Sequence, residues 1–274
     1  MPHHYCEVRD EGRLRIVTLN RPEVMNALHT DANEELEAVW DDFAANPDLW
    51  VGIVTGAGDR AFSAGNDLKV QAAGKRRPMP PSGFAGLTSR FDLEKPVIAA
   101  VNGIAMGGGF EIALACDLII AAENAIFALP EPRVGLVAGA GGLHRLPRAI
   151  GPKQAHGMIL TGRRVTAAEG QTLGFVNEVV PQGEALAAAK RWAALILECS
   201  PLAVRASKQA VYAGLDEESL AKAIGTMYPA QARNRDSQDY IEGPKAFAEK
   251  RKPNFKGWKD PQDRYRTPTL ESLN

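Results

Sequence analysis

The chain has 274 residues, of which 45% are hydrophobic, and its 32 Lys and Arg residues balance 33 Asp and Glu residues to a net charge of -1. This length accommodates one large domain with an appendage, and the hydrophobic content suffices for a sizeable core. Because the charges balance, no field of the whole chain favours nucleic acid or an anionic membrane. We therefore expect neither partner, and an anionic ligand would be met by a local patch.

The three cysteines favour a reducing, cytoplasmic compartment. Cys6, Cys116 and Cys199 are widely separated, odd in number and without CxxC spacing, which argues against a disulfide framework or a zinc site. The first residues carry charges where a secretory signal needs an apolar stretch. The most apolar region, 96–130, is interrupted by polar residues and lacks a run of the ~20 apolar residues that a membrane span needs. We expect no metal.

Strands and helices alternate in the first 130 residues. Alternating or short apolar runs predict strands at 13–19, 50–55, 96–101, 118–121 and 125–128. A capping box of Asp31 and Glu34 predicts a helix to about Phe43, with further helices near Asp67 and over 106–116. The order strand, strand, helix recurs, although no sequence repeat of fixed period is visible.

Helical patterns dominate from residue 153 onward. They are predicted at 153–160, 166–173 (opened by a capping box of Thr166 and Glu169), 184–197, 202–213, 216–234 and 237–250. Residues 72–83 are rich in Gly, Pro and positive charge, which indicates a loop over a site. The alternatives for this loop are a lid and a binding loop.

Two glycine-rich segments, 62–67 and 102–111, each follow a predicted strand and lead into a predicted helix. Such a turn lets the backbone approach a ligand while free N–H groups and the helix dipole face an anion or a developing oxyanion. The alternative is that the glycines only permit tight turns and close packing. Neither segment has a GxGxxG fingerprint or a GK[ST] ending, so we expect neither NAD nor ATP, and no cofactor.

Two glutamates stand out near these segments. Glu111 follows the glycine triplet in an otherwise apolar helix, where burial would raise its pKa toward the range of a general acid or base. Alternatively, it satisfies free amides at the start of that helix. Glu131 lies between Pro130 and Pro132, which stiffen its backbone; the alternative is an exposed loop carboxylate. Together they suggest an acid/base pair.

Six further segments, taken in order and spacing, are characteristic of one family: LNRPEVMNAL, AFSAGNDL, KPVIAAVNGIAMGGGFEIALACDLIIA, FALPEPRVGL, GAGGLHRLPRAIG and FAEKRKPNF. With these segments the chain resembles the enoyl-CoA hydratase/isomerase (crotonase) superfamily over nearly its whole length. The resemblance implies an α/β fold, the ClpP-like crotonase spiral of ββα units, over 1–200. It also implies a helical trimerisation segment over 201–274, with homotrimers or dimers of trimers.

The resemblance also implies roles for individual residues. The backbone N–H groups of Ala64 and Gly108 would form an oxyanion hole for the thioester carbonyl. Glu111 would deprotonate the water that attacks C3, and Glu131 would deliver the proton at C2. The implied acyl-CoA contacts are Met25, Ala27, Ala64, Gly65, Asn66, Asp67, Leu68, Gly108, Phe247 and Lys250.

Retention of both glutamates favours an enoyl-CoA hydratase, a carbon-oxygen lyase, whereas family isomerases usually keep the second carboxylate alone. The segments GFAGLTSRFDLEKPVIAAVNG and IEGPKAFAEKR are similar to the crotonobetainyl-CoA hydratase (carnitinyl-CoA dehydratase) subgroup. Asn66 departs from the Trp of that subgroup, a residue type suited to a quaternary ammonium. A catalytically silent scaffold or RNA-binding member on this fold is the non-enzymatic alternative, which the two glutamates and the balanced charge disfavour.

Overall fold

The computed structural model describes residues 3–74 and 78–257. Within these ranges no helix is both long and apolar enough to span a bilayer. Of the loop predicted at 72–83, residues 75–77 lie outside the described part, as do the last residues, 258–274, of the predicted C-terminal segment.

Within the described residues, ten strands form two sheets. They are β1 (Cys6–Glu11), β2 (Leu14–Leu19), β3 (Val51–Gly56), β4 (Ala61–Ser63), β5 (Val97–Val101), β6 (Ile104–Met106), β7 (Leu118–Ala122), β8 (Ile126–Ala128), β9 (Val165–Thr166) and β10 (Glu178–Val180). The large sheet has the order β1-β2-β3-β5-β7-β10 and the small sheet the order β4-β6-β8-β9. All neighbours are parallel except β1 with β2 and β8 with β9.

Eleven helices complete the described ranges. They are α1 (Thr30–Ala45), α2 (Leu68–Ala72), α3 (Gly108–Ala115), α4 (Gly142–Ile150), α5 (Pro152–Thr161), α6 (Ala167–Leu173), α7 (Ala185–Leu197), α8 (Pro201–Leu215), α9 (Leu220–Gly225), α10 (Pro229–Arg235) and α11 (Asp239–Ala248). Consecutive strands β3 and β4, β5 and β6, and β7 and β8 each place one strand in the large sheet and the next in the small one. This confirms the repeated ββα arrangement.

The large sheet is covered on both faces, so its central strands are apolar throughout. Along β5, Ala99 and Val101 face the core shared with α1 and α3, whereas Ile98 and Ala100 face the core shared with α7. Side chains of a strand alternate between faces, and a parallel sheet with both faces covered needs apolar residues on each. The small sheet contributes Phe62, Ala105 and Phe127 to the core that α1 and α3 share with the large sheet.

Two details of the predicted helices are wrong. The helix predicted from Asp31 begins at Thr30, because the His29 side chain accepts a hydrogen bond from the Ala32 amide at 3.2 Å and caps it. The single helix predicted over 216–234 is divided into α9 and α10. Pro229 disfavours helical backbone at the residue before it, and Tyr228 is extended (ψ 149°). The cap at Thr166 is confirmed, since its hydroxyl accepts from the Glu169 amide at 3.2 Å.

The sequence patterns did not predict β1, β4, β6, β9, β10 or α4. Strands β6 and β9 have three and two residues, too short to show a period. Helix α4 contains Pro147 and begins in a glycine-rich run, and both features usually indicate a loop.

Asp117 joins the C-terminal helices to the large sheet. Its carboxylate accepts hydrogen bonds from the Val97 amide at 2.8 Å, the Lys208 ammonium at 2.8 Å and the Tyr212 hydroxyl at 3.2 Å. Lys208 and Tyr212 both lie on α8. One carboxylate thus holds α8 against the start of β5, and the helical segment follows the core from this point.

The carboxylate of Glu35 on α1 holds the start of β1. It accepts the amides of His4 at 2.7 Å, Tyr5 at 2.8 Å and Cys6 at 3.1 Å. Potential metal-ligand atoms of His3, Cys6 and Glu35 lie within 4.8 Å of one another, a group that the sequence spacing did not indicate. Since both Glu35 oxygens accept backbone amides, we interpret the group as a clamp between β1 and α1.

Candidate active site

The two glycine-rich segments meet where β4 and β6 end. A Cβ atom at Gly65 (φ +84°) would lie 2.6 Å from the Met106 carbonyl oxygen and 2.7 Å from the Gly108 nitrogen. At Gly109 it would lie 2.0 Å from the Ser63 carbonyl oxygen. Only glycine permits backbones to approach so closely. The packing role of these glycines is therefore confirmed, and their predicted role in binding an anion stays a prediction.

Replacing Gly109 by alanine should separate the two segments. The new Cβ would meet the backbone of Ser63, which cannot rotate away, so we expect a loss of at least about 1–3 kcal/mol in the free energy of unfolding. Because the amides that are predicted to bind the ligand would move, the predicted catalytic turnover should fall roughly 100-fold. Gly157→Ala in α5 is the control, as a Cβ there meets nothing within 4 Å. Denaturant titration and steady-state kinetics compare the two variants; equal behaviour would contradict the prediction.

Gly108 contributes the first amide of α3. An amide at the first position of a helix has no acceptor within that helix, and it lies at the positive end of the helix dipole. The Phe84 ring covers this glycine, since a Cβ at Gly108 would lie 2.6 Å from the ring. Gly108 thus lies at the start of a helix as predicted, and its role as an oxyanion donor stays a prediction.

The predicted use of the Ala64 amide is wrong. Ala64 donates its N–H to the Met25 carbonyl at 2.9 Å, so this amide is directed away from the meeting point of the loops. Asn66 forms a parallel bridge with Leu28, in which the Leu28 amide and carbonyl bond to Gly65 and Asp67. In such a bridge the N–H and C=O of the opposite residue point to the other side. The Asn66 amide therefore faces away from Leu28.

Glu111 is a buried carboxylate in the first turn of α3. Its side chain is 3% exposed, and its Oε1 accepts a hydrogen bond from the Gly142 amide at 2.8 Å. Burial raises the pKa of Glu111 to about 7, the hydrogen bond from Gly142 opposes this, and the neighbouring Glu131 charge raises the pKa further. A carboxyl group with this pKa exchanges protons readily near neutral pH.

This raised pKa predicts a pH-dependent stability gain for Glu111→Gln. The folded state holds the Glu111 proton more tightly than the unfolded state, so wild-type stability falls as pH rises from the ordinary value of 4.5 through about 7. The glutamine variant lacks this loss. We expect its stability relative to wild type to increase by about 2–3 kcal/mol between about pH 5 and about pH 8. Denaturant titration at both pH values measures it, and a pH-independent difference would contradict it.

Glu131 is half-buried and begins a 3₁₀ turn, Glu131–Val134. Its Oε1 lies close to Gly107, where a Cβ would come within 2.7 Å, and Gly107 has a backbone conformation (φ +53°, ψ -126°) that favours glycine. Its Oε2 is buried, and no donor from the described residues reaches it. Burial raises the pKa of Glu131. The alternative of an exposed loop carboxylate is therefore wrong.

The structure brings most of the predicted CoA contacts together around the two loops. Met25 bonds to Ala64, the Ala27 carbonyl accepts from the Arg21 guanidinium, and Asp67 pairs with Arg21 at 3.2 Å. Leu68 is 47% exposed at the start of α2. In contrast, Phe247 lies on α11 with 87% of its surface exposed, and Lys250 lies just beyond α11. The contacts predicted for Phe247 and Lys250 stay predictions.

Three further residues at the site were missed by the sequence analysis. Gly142 donates to Glu111, Phe84 covers Gly108, and the Arg145 guanidinium lies beside Gly141. Gly142 and Arg145 belong to GAGGLHRLPRAIG, so the glycines before a helix were the available signal. Phe84 lies in a segment without a regular period, and its contact with Gly108 depends on the tertiary fold.

The enoyl-CoA hydratase/isomerase family model matches residues 9–259. The chain belongs to this family. A carnitinyl-CoA dehydratase of Escherichia coli (strain SMS-3-5 / SECEC) is 44% identical over 252 residues, covering 90% of this chain and 96% of that protein. A protein of the same name from Salmonella typhi is 43% identical over 255 residues, with the same coverage of each chain.

Solved structures of family members share the fold. An enoyl-CoA hydratase from Mycobacterium marinum superposes with a TM-score of 0.87 at 40% identity, covering 92% of this chain and 99% of that one. A carnitinyl-CoA hydratase from Mycobacterium avium superposes with a TM-score of 0.75 at 38% identity, covering 93% and 99%. The predicted crotonase fold is confirmed.

Proposed function

We propose that this protein is an enoyl-CoA hydratase, which adds water reversibly across the 2,3 double bond of an enoyl-CoA thioester. The observation that carries the proposal is the pair of carboxylates with raised pKa, Glu111 and Glu131, beside two converging glycine-rich loops. Hydration needs one group that takes a proton from water and one that gives a proton to carbon. One buried and one half-buried carboxyl group near one polarising site meet that need.

The thioester oxygen would bind between the amides of Gly108 and Asn66. Gly65 lies against Gly108, the Asn66 amide follows Gly65 directly, and its bridge turns it away from Leu28. Two amides aimed at the oxygen stabilise the negative charge that develops when the enolate forms. This assignment replaces Ala64 by Asn66.

The positions of the glutamates support their separate roles. Glu131 lies against Gly107, the neighbour of the oxygen-binding Gly108, so it is suited to reach C2, the carbon next to the thioester carbonyl. Glu111 is held by Gly142 from α4 and would act at C3, one carbon further. Glu111 takes a proton from water as the oxygen bonds to C3. The π electrons move into the thioester enolate, and C2 then takes a proton from Glu131.

The reaction proposed here needs no metal or redox cofactor. Addition of water to a double bond involves no net oxidation or reduction of the substrate, and the two carboxyl groups transfer the protons. CoA enters as part of the substrate, with the loop around Met25 and the start of α2 as its nearest contacts.

A second candidate is hydration of crotonobetainyl-CoA, which carries a trimethylammonium group. Carnitinyl-CoA dehydratases of two organisms, at 44% and 43% identity, favour it. Asn66 in place of the subgroup's Trp speaks against it, because an aromatic face is the usual partner of a quaternary ammonium.

A homotrimer or dimer of trimers is part of the proposal. The C-terminal helices carry large exposed apolar side chains, which usually mark an interface. They include Val211, Leu215, Leu220, Ile224 and Phe247, each between 60% and 87% exposed. In such an assembly Phe247 and Lys250 could reach the nucleotide end of CoA in a neighbouring subunit.

The loss of the conjugated-enoyl absorbance tests the proposal. Wild-type protein is mixed with crotonyl-CoA, crotonobetainyl-CoA and a branched enoyl-CoA, and the initial rates are compared. We expect turnover of at least one thioester, and the ranking separates the two candidate substrates. Absence of turnover with every thioester, while CoA still binds, would refute a hydratase.

A further inference from the structure

Arg145 connects two structural elements that flank the proposed site. It lies on α4, and its Nη2 donates to the Thr88 carbonyl at 2.8 Å. Its Nη1 lies against Gly141 (φ +105°), where a Cβ would come within 2.2 Å. The guanidinium also lies over the Phe91 ring, 5.6 Å from the centroid. One half-buried side chain therefore contacts the segment 88–91 and the start of α4 together.

From Gly141, the contacts lead to Glu111. The next residue, Gly142, donates its amide to Glu111 Oε1 at 2.8 Å, and a Cβ at Gly142 would lie 3.1 Å from that oxygen. The position of the Gly142 amide therefore sets where the Glu111 carboxylate points. Arg145 packs against Gly141, the residue directly before Gly142, and so constrains the position of the Gly142 amide.

From Thr88, the contacts lead to the oxygen-binding side of the site. The Thr88 hydroxyl accepts the Phe84 amide at 2.8 Å, and the Thr88 amide donates to the Phe84 carbonyl at 3.2 Å. The Phe84 ring in turn lies against Gly108. Movement of Thr88 would therefore shift the ring that covers Gly108.

We propose that Arg145 is a positioning residue, which clamps the 84–91 segment to the start of α4. It thereby holds the Gly142 amide against Glu111 and the Phe84 ring against Gly108. This inference rests on the hydratase function proposed above. A planar guanidinium suits the role because its fork of donors can contact two backbone segments, whereas an ammonium is a point charge.

The charge of Arg145 also acts on Glu111. Arg145 lowers the pKa of Glu111, against the effects of burial and of Glu131, and Arg145 itself faces Tyr212 and Cys116. Without the cation the pKa of Glu111 rises. Because Glu111 must be ionised to take a proton from water, the acid limb of the kcat profile then moves to higher pH.

Arg145→Ala and Arg145→Lys test the inference, with Arg148→Ala as the matched control. Arg148 lies one turn along α4, with 61% of its side chain exposed. We expect Arg145→Ala to lower kcat roughly 10- to 100-fold with a smaller change in KM, and to move the acid limb upward. Arg145→Lys keeps the positive charge but lacks the fork of donors. The acid limb of its kcat profile should therefore lie near the wild-type pH, whereas its kcat should stay below the wild-type value. Arg148→Ala should match wild type.

An acid limb and kcat of Arg145→Ala equal to those of Arg148→Ala would overturn the inference. If Arg145→Ala does not fold, wild-type kcat in Arg145→Lys would overturn it equally, because the lysine variant lacks the donor fork. Both results require an active wild type. Failure of the hydratase proposal itself can be distinguished from these results, because wild-type protein would then turn over no enoyl-CoA.

Discussion

Glu131→Gln should abolish hydration while leaving thioester binding intact. Glutamine keeps the shape of the side chain beside Gly107 but cannot exchange a proton with C2. Loss of a general acid/base group typically costs roughly 10²- to 10⁴-fold in rate, and we expect kcat to fall by that amount. Since the oxygen-binding amides are unchanged, the dissociation constant of a saturated acyl-CoA should change less than about threefold.

Enoyl absorbance measures the rate of this variant, and calorimetric titration measures its affinity. Glu198→Gln is the matched control, because Glu198 is an exposed carboxylate at the end of α7. The control should keep wild-type values of both. Hydratase activity retained in Glu131→Gln would refute the role of Glu131.

Glu111→Gln should abolish hydration and yet retain exchange of the C2 protons. The variant loses the group that deprotonates water, so hydration should again fall roughly 10²- to 10⁴-fold. Glu131 and the two amides persist, and they suffice to remove and return a proton at C2 of a saturated acyl-CoA. Glutamine can still accept the Gly142 amide, so the geometry of α4 is preserved.

Incorporation of deuterium from D₂O into butyryl-CoA, followed by NMR, measures this exchange. We expect exchange in wild type and Glu111→Gln, but not in Glu131→Gln. The opposite pattern, with exchange lost in Glu111→Gln and kept in Glu131→Gln, would reverse the two roles. Two results together would favour the isomerase alternative. Wild-type protein would isomerise a 3-enoyl-CoA without hydrating a 2-enoyl-CoA, and the Glu111→Gln variant would keep the isomerase activity.

The local chemistry of the site could be predicted from contiguous segments. Glycines at 65 and 107–109 follow short strands, and each serves a turn or a close approach that only glycine allows. The apolar run around Glu111 predicted its burial, and the raised pKa agrees. Such features depend on a few neighbouring residues, so the sequence pattern shows them directly.

The choice of amide could not be made from the segment alone. Ala64 and Asn66 both lie in the same glycine-rich turn, but their N–H groups point in different directions. The Met25 carbonyl accepts the Ala64 N–H, whereas the bridge to Leu28 turns the Asn66 N–H away. Both partners lie about 40 residues earlier in the chain. Backbone direction within a turn is set by such long-range pairing, which composition and spacing do not encode.

The family, much of the alternation of strands and helices, and the two carboxylates could be predicted from the sequence, because each depends on residues that follow one another in the chain. The half-burial of Glu131 against Gly107 and the contact of Arg145 with Thr88 and the start of α4 are visible in the folded structure alone. These contacts unite segments that are separated by 24 and 57 residues. The packing of the two sheets against α3 and α4 creates them, so they appear only when the chain has folded.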